Sequence, residues 1–325
     1  MIKKIIILVA LFLLMAPSLK AQDNNLRPQF RIIRQNTVWP VKGSSNADIV
    51  SAFGPRSMTA NNTYDWHRGL DVAGDLNAKV KAVDNGELFY QTTWEGAGNT
   101  VILRHTFNSP TFFQGKELTY WYSVYMHLNS FKYADADLGK TINAGQVIGF
   151  VGQTGNATSP HLHLEVRVGT WYELEVQLAY PDSQYSGFGF DPAVNPMILF
   201  APQAKNISLT LAQAPTRKRD GKINAVFSAG QPIFNKVKLI IKDKATNTKV
   251  LEHILNYNTR VGFDAATNEA LDTPDITKPY IYPDSIYPTN IIIPKKYLKD
   301  YLGENYTRTL YVYDIWGRKQ QLKDW

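Results

Sequence analysis

The sequence predicts an all-β protein of two units, an antiparallel β-sheet domain followed by a second, β-sandwich-like domain. Short alternating or apolar runs recur along the chain, split by Gly, Asn and Pro turn signals, with almost no helical periodicity. The 325 residues are too many for one small domain and comfortable for two, and 44% hydrophobic content is that of a globular chain. Charge divides the chain as well: residues 22–202 carry 13 basic and 16 acidic side chains, whereas residues 203–325 carry 19 and 12.

The chain opens with Lys3 and Lys4, an apolar run from Ile5 to Ala16, then Pro17, Ser18 and the small residue Ala21. That is the layout of a secretory signal peptide over residues 1–21, cut after Ala21, and it predicts a secreted or periplasmic address. The run is shorter than the roughly 20 apolar residues a membrane span needs. No other stretch comes closer, so no span is expected in the mature chain. There is no cysteine. Disulfides and a lipid-bearing cysteine are therefore excluded, and any metal site must be built from His, Asp, Glu or Asn.

In the first unit, residues 22–202, "WPVKG" leads to "SAFGPR" with its Gly-Pro turn. The strands follow as "AKVKAVDNGELFYQT", "NTVILRH", "YWYSVYMHL", "QVIGFVG" and "HLHLEVRV". Residues 106–119, with Pro110 and Gly115, read as a loop inserted between two strands, and 172–190 as a second long loop. "DPAVNPMILF" closes the unit with a short turn. In the second unit, residues 203–325, "ISLTLA", "INAVFSA", "VKLIIKD", "VLEHILNY", "NIIIP" and "TLYVYDIWG" read as sandwich strands, and 259–290 as a long Pro/Tyr-rich loop. Its basic excess suggests contact with an anionic envelope or protein partner, and a solubilising excess accounts for the same numbers equally well. Nucleic acid is not an expected partner of a secreted chain.

The chemistry concentrates in histidine. On a strand, His161 and His163 lie roughly 6.6 Å apart on one face. In "HRGLD", His67 and Asp71 would be roughly 13 Å apart if extended. Sharing one ion requires a bend, and Gly69 makes it cheap. Two His and one Asp suit Zn²⁺, with a fourth position left for water. "VYMHLNS" adds His127. His105 and His253 read as structural, and Arg56 as a loop anchor. Trp39, Trp66, Trp94, Trp121 and Trp171 read mostly as core or rim.

From about Trp39 to Pro192 the chain resembles the M23 family of zinc metallopeptidases, the LytM/lysostaphin type that cuts peptidoglycan peptides. The resemblance is carried by "HRGLDVAG", "YMHL", "GQVIGFVGQTGNATSPHLHLEV" and "DPAVNP". It implies one Zn²⁺ per chain on His67, Asp71 and His163, with His127 and His161 as the catalytic pair beside it. Ser159 stands where the family commonly has Gly, and Asn61 and Asn62 are positional candidates for an inhibitory fourth ligand. The implied reaction is hydrolysis of a peptide bond in peptidoglycan cross-links or stem peptides. The sequence contains no HExxH glutamate, so the base falls to histidine. A catalytically silent module that binds and regulates another wall hydrolase is the alternative, and a chain of that kind is expected to have lost ligands.

Overall fold

A computed structural model describes residues 37–41, 48–58, 63–113, 116–168, 193–200, 206–227, 233–257, 281–286 and 288–325. The expected signal peptide, Asn61, Asn62, Trp171, the loop 172–190 and most of 259–290 lie outside these residues.

The described strands of the first unit are β1 (Ile49–Ser51), β2 (Gly54–Met58), β3 (Thr63–His67), β4 (Leu70–Ala73), β5 (Lys79–Lys81), β6 (Gly86–Trp94), β7 (Gly98–Phe113), β8 (Lys116–Leu128), β9 (Ser130–Phe131), β10 (Thr141–Ile142), β11 (Val147–Phe150), β12 (His161–Val168) and β13 (Ala193–Val194), followed by the four-residue helix α1 (Met197–Phe200). The main sheet runs β1-β4-β12-β8-β7-β6-β10, with β13 also on β12. Smaller sheets are β5-β11-β9 and the hairpin β2-β3. Every pairing is antiparallel, as the turn-punctuated pattern predicts.

β12 sits at the centre of the arrangement because one of its faces is fully apolar. Leu162, Leu164, Val166 and Val168 alternate into the core and are essentially inaccessible. Each such side chain contributes about 1.5–3 kcal/mol of burial, and the period of two then forces His161, His163, Glu165 and Arg167 onto the opposite face. Register follows: a one-residue slip would exchange the two sets.

One expectation fails. The described residues 106–113 and 116–119 do not form an inserted loop but belong to a long two-stranded ribbon. β7 and β8 keep pairing through Thr111↔Leu118, Phe112↔Glu117 and Phe113↔Lys116. A register shift between Thr106 and Thr111 takes up the extra residues around Pro110, a bulge that lets the ladder resume beyond a residue without an N–H donor.

The second unit holds β14 (Ile207–Gln213), β15 (Gly221–Phe227), β16 (Phe234–Asp243), β17 (Lys249–Asn256), β18 (Tyr282–Pro283), β19 (Asn290–Ile293), a short helix α2 (Lys295–Leu298), β20 (Tyr306–Asp314) and β21 (Lys319–Lys323). They form two four-stranded sheets, β14-β15-β19-β18 and β17-β16-β20-β21. Ile223, Ala225 and Phe227 on one sheet and Val237, Leu239, Ile241, Leu310 and Val312 on the other are buried at alternate positions, the pattern of a sandwich. A single apolar cluster connects this core with that of the first unit.

Candidate metal centre and active site

His67, Asp71 and His163 converge. His67 ends β3, the chain breaks strand at Arg68 and Gly69, and Asp71 lies near the start of β4. The expected bend is therefore present, without a left-handed φ at Gly69, so it is space rather than conformation that demands glycine there. A Cβ on it would lie 2.5 Å from the Leu164 carbonyl oxygen and 2.7 Å from His163 Nε2. Cross-strand register sets His163 directly opposite Asp71. As a result His67 Nε2 is 3.1 Å from Asp71 Oδ1 and 3.1 Å from His163 Nδ1, and His163 Nδ1 is 2.8 Å from Asp71 Oδ1.

The outer partners of these rings decide which nitrogens face inward. His67 Nδ1 is 2.8 Å from the Ala52 carbonyl, which can only accept, so Nδ1 carries the hydrogen and donates it. Nε2 then points a lone pair at the Asp71 carboxylate. His163 donates Nε2–H to Glu165 Oε1 at 3.1 Å, leaving Nδ1 to face the same spot. A carboxylate oxygen and two imidazole nitrogens thus direct electron pairs at one locus, an arrangement that is repulsive until a cation fills it. These residues fit a divalent ion such as Zn²⁺.

The electrostatics agree. Burial holds the His67 imidazole below its usual range, and so neutral. His163 is also penalised by burial, but Asp71 and Glu165 outweigh that and raise it to about 9. A proton on His163 thereby occupies the role that a metal ion would take. Asp71 is held well below the usual carboxylate range, because the charges and hydrogen bonds of His67 and His163 overcome its desolvation. Arg56, read from the sequence as a loop anchor, lies instead on β2, where its Nη1 donates to Ser51 Oγ at 2.7 Å and lies 3.6 Å from Asp71 Oδ2 of the metal-facing carboxylate.

His127 and His161 flank this cluster, with ring centroids 5.0 Å apart, and His127 is 5.8 Å from His163 by the same measure. Each donates Nδ1–H to a backbone carbonyl, His127 to Thr154 at 2.9 Å and His161 to Ser159 at 2.8 Å. Both Nε2 atoms are thereby left as acceptors, and that of His161 is 3.6 Å from Asp71 Oδ1. His127 adopts φ +61°, a left-handed conformation that costs a non-glycine residue about 1–2 kcal/mol. Its N–H bond to Ala97 and its ring bond to Thr154 hold it there. Desolvation, reinforced by neighbouring histidines, lowers His127 to about 4 and keeps it neutral near pH 7.

Glu165 and Arg167 are functional residues that motif reading does not reach. They are 3% and 2% exposed, and Arg167 Nε donates to Glu165 Oε2. Glu165 supplies the acceptor that fixes the orientation of His163, and Arg167 keeps that carboxylate ionised. A signal was available: "HLHLEVRV" places four consecutive alternate polar residues on the face that carries the histidines. His105, by contrast, lies in mid-strand away from the cluster. It bonds Asn85 O and Ser123 Oγ and stacks on Trp121, a structural role as expected.

Residues 65–173 match the model of peptidase family M23. The chain is 30% identical over 151 residues to the DD-carboxypeptidase/endopeptidase Mpg of Neisseria meningitidis serogroup B, covering 46% of this chain and 31% of that protein. It is 30% identical over 139 residues to lysostaphin of Staphylococcus simulans, covering 42% and 25%. Among solved structures, the catalytic domain of that antimicrobial peptidase is 25% identical, covers 47% of this chain and 92% of its own, and superposes with a TM-score of 0.32. The chain spans about a third or less of the length of these full-length relatives.

Proposed function

We propose that this chain, whose residues 65–173 match the model of peptidase family M23, is a zinc-dependent metalloendopeptidase that hydrolyses peptide bonds in peptidoglycan. The observation that carries the reading is the convergence of the His67, Asp71 and His163 lone pairs, with two further histidines turned toward the same groove. One Zn²⁺ per chain would be held by those three residues. When bound, it supplies Lewis acidity that polarises a scissile carbonyl and makes a water nucleophilic near neutral pH.

The protein's own contribution is orientation and proton handling. His127, buried and neutral, offers Nε2 as a fixed acceptor that orients the attacking water. His161 is partly open to solvent, so its Nε2 takes the water's proton and returns it to the leaving amine. Thr154 and Ser159 hold the two rings in the required tautomer. A silent, regulatory module is disfavoured, because such a module has no use for a catalytic pair held in this geometry at a backbone cost. The N-terminal pattern of residues 1–21 supports a secreted or periplasmic address. Among the described residues no helix is long and apolar enough to cross a membrane.

The test is elemental analysis of the purified chain, with digestion of peptidoglycan on the same samples. About one zinc per chain is expected, lost together with digestion in His163→Ala. His127→Ala and His161→Ala should keep zinc and lose turnover by roughly 100-fold or more. Absence of zinc from folded wild-type protein refutes the reading. Zinc without digestion in the wild type moves it to the silent module.

A further inference from the structure

The second unit touches the metal centre through the backbone that holds His67. Ala52 is held at both ends: its carbonyl accepts His67 Nδ1–H, and its N–H donates to the Ile286 carbonyl of the second unit at 3.0 Å. One turn of the hairpin away, the Ser57 N–H donates to the Ser285 carbonyl at 3.2 Å. Between these two bonds lies Gly54, paired in register with His67. Tyr257 of the second unit is 1% exposed and lies directly over it: a Cβ at position 54 would be 2.9 Å from Tyr257 Cδ1. Gly54 adopts φ +99°, so both its conformation and the ring above it demand glycine.

Tyr257 is itself rigidly supported. Its N–H donates to the Asn235 carbonyl at 2.8 Å, and its ring stacks on Phe234 at 5.0 Å, which packs edge-on against Phe227 at 4.8 Å. A column of aromatic rings rooted in the sandwich core thus ends on the strand pair that carries a metal-facing histidine. The Tyr257 hydroxyl makes no hydrogen bond among the described residues, so it is the ring that matters at this position.

We propose that the second unit is a positioning element of the metal centre, with Tyr257 and residues 281–286 fixing the Ala52 carbonyl that orients His67. This rests on the assignment of His67 as a metal ligand. It makes residues 203–325 an integral part of the catalytic unit rather than a detachable anchor. Tyr257 is a positioning residue: it acts through Gly54 and Ala52 and touches neither metal nor substrate.

The experiment is zinc affinity of the full chain by competition with a chromophoric chelator, for wild type, Tyr257→Phe, Tyr257→Ala and Leu310→Ala. Leu310 is an equally buried core residue on β20 of the same unit and serves as the control for lost packing. Tyr257→Ala should bind zinc about 10-fold or more weakly, the usual consequence of disturbing an outer partner of a ligand. Tyr257→Phe and Leu310→Ala should stay within about twofold of wild type. A folded Tyr257→Ala with wild-type affinity overturns the proposal. So does a Leu310→Ala that loses zinc equally. Wild-type protein that binds no zinc instead removes the metal assignment beneath it.

Amide hydrogen exchange on the unmutated chain gives the same answer without any folding risk. Coupling is reciprocal, so adding zinc should slow exchange at Ala52 and also across 251–257 and 281–286. Protection confined to the hairpin overturns the proposal.

Discussion

Gly69→Ala is the smallest change that the geometry predicts to be severe. The added methyl would lie 2.5 Å from the Leu164 carbonyl oxygen, 2.7 Å from His163 Nε2 and 2.9 Å from His163 Cε1, where ordinary contact begins near 3.4 Å. The strand or the ring must therefore yield by about 0.7–0.9 Å. Leu164 cannot give way freely, because it is paired with Leu70 in the β4–β12 ladder. Rotation of the His163 ring instead draws Nε2 away from Glu165 and Nδ1 away from Asp71.

Overpacking of this kind costs about 1–3 kcal/mol. The stiffer unfolded chain that alanine brings gives back about 0.4–1 kcal/mol, so the net loss of stability should be modest. Function should suffer more. A displacement near 1 Å at a reacting centre costs about 100-fold in turnover, and a misoriented ligand about 10–100-fold in metal affinity. Chelator competition, peptidoglycan digestion at saturating zinc and urea titration measure the three quantities on one preparation. A variant with wild-type zinc affinity and turnover would show that the close approach of Gly69 to His163 does not constrain the site.

Glu165→Gln keeps the acceptor for His163 Nε2–H but removes the charge, and zinc affinity should fall about 10–100-fold with far-UV circular dichroism unchanged. His105 predicts an acid-sensitive component of stability: burial lowers its imidazole to about 4, against 6.5 in the unfolded chain. Between those values the unfolded state takes up a proton that the folded state refuses, so stability present above pH 6.5 is lost as pH falls toward 4. The amount reaches about 3 kcal/mol, and His105→Gln should flatten that part of the urea-midpoint profile between pH 4 and 7 relative to wild type.

The sequence carries the strands of the first unit and the sandwich-like pattern of the second because both follow from period-two burial, which is local, whereas the order of strands in the sheet is not. It carries the candidate metal-facing residues for a related reason: the alternation that places His163 beside His161 on one strand face, and the bend at Gly69 between His67 and Asp71, are constraints within a few residues. The ribbon of β7 and β8 is hidden because Pro110 and Gly115 are ordinary loop residues until a bulge is allowed for. Glu165 is hidden for a different reason. A polar residue at an alternate strand position normally faces water, and nothing in the linear pattern states that this polar face is covered. The contact of residues 281–286 with Ala52 joins positions more than 200 apart through backbone atoms, which every residue type possesses.

Backbone carbonyls orient most of the histidines of the first unit, inside the site and outside it. Four histidines, His67, His105, His127 and His161, have Nδ1 bonded to a backbone carbonyl, those of Ala52, Asn85, Thr154 and Ser159. No side-chain substitution at the acceptor removes a carbonyl. These tautomers are therefore robust to most replacements there and vulnerable to whatever moves the backbone, such as the packing over Gly54. His163 is the exception, because its outer partner is the Glu165 side chain, held in turn by Arg167. Sensitivity to substitution should accordingly divide into two kinds. Changes at Glu165 act directly on one ligand and those at Arg167 act through Glu165, whereas His67 is disturbed through Ser51, whose Oγ lies 3.3 Å from its Nδ1, and through the glycine and aromatic ring that set the Ala52 backbone.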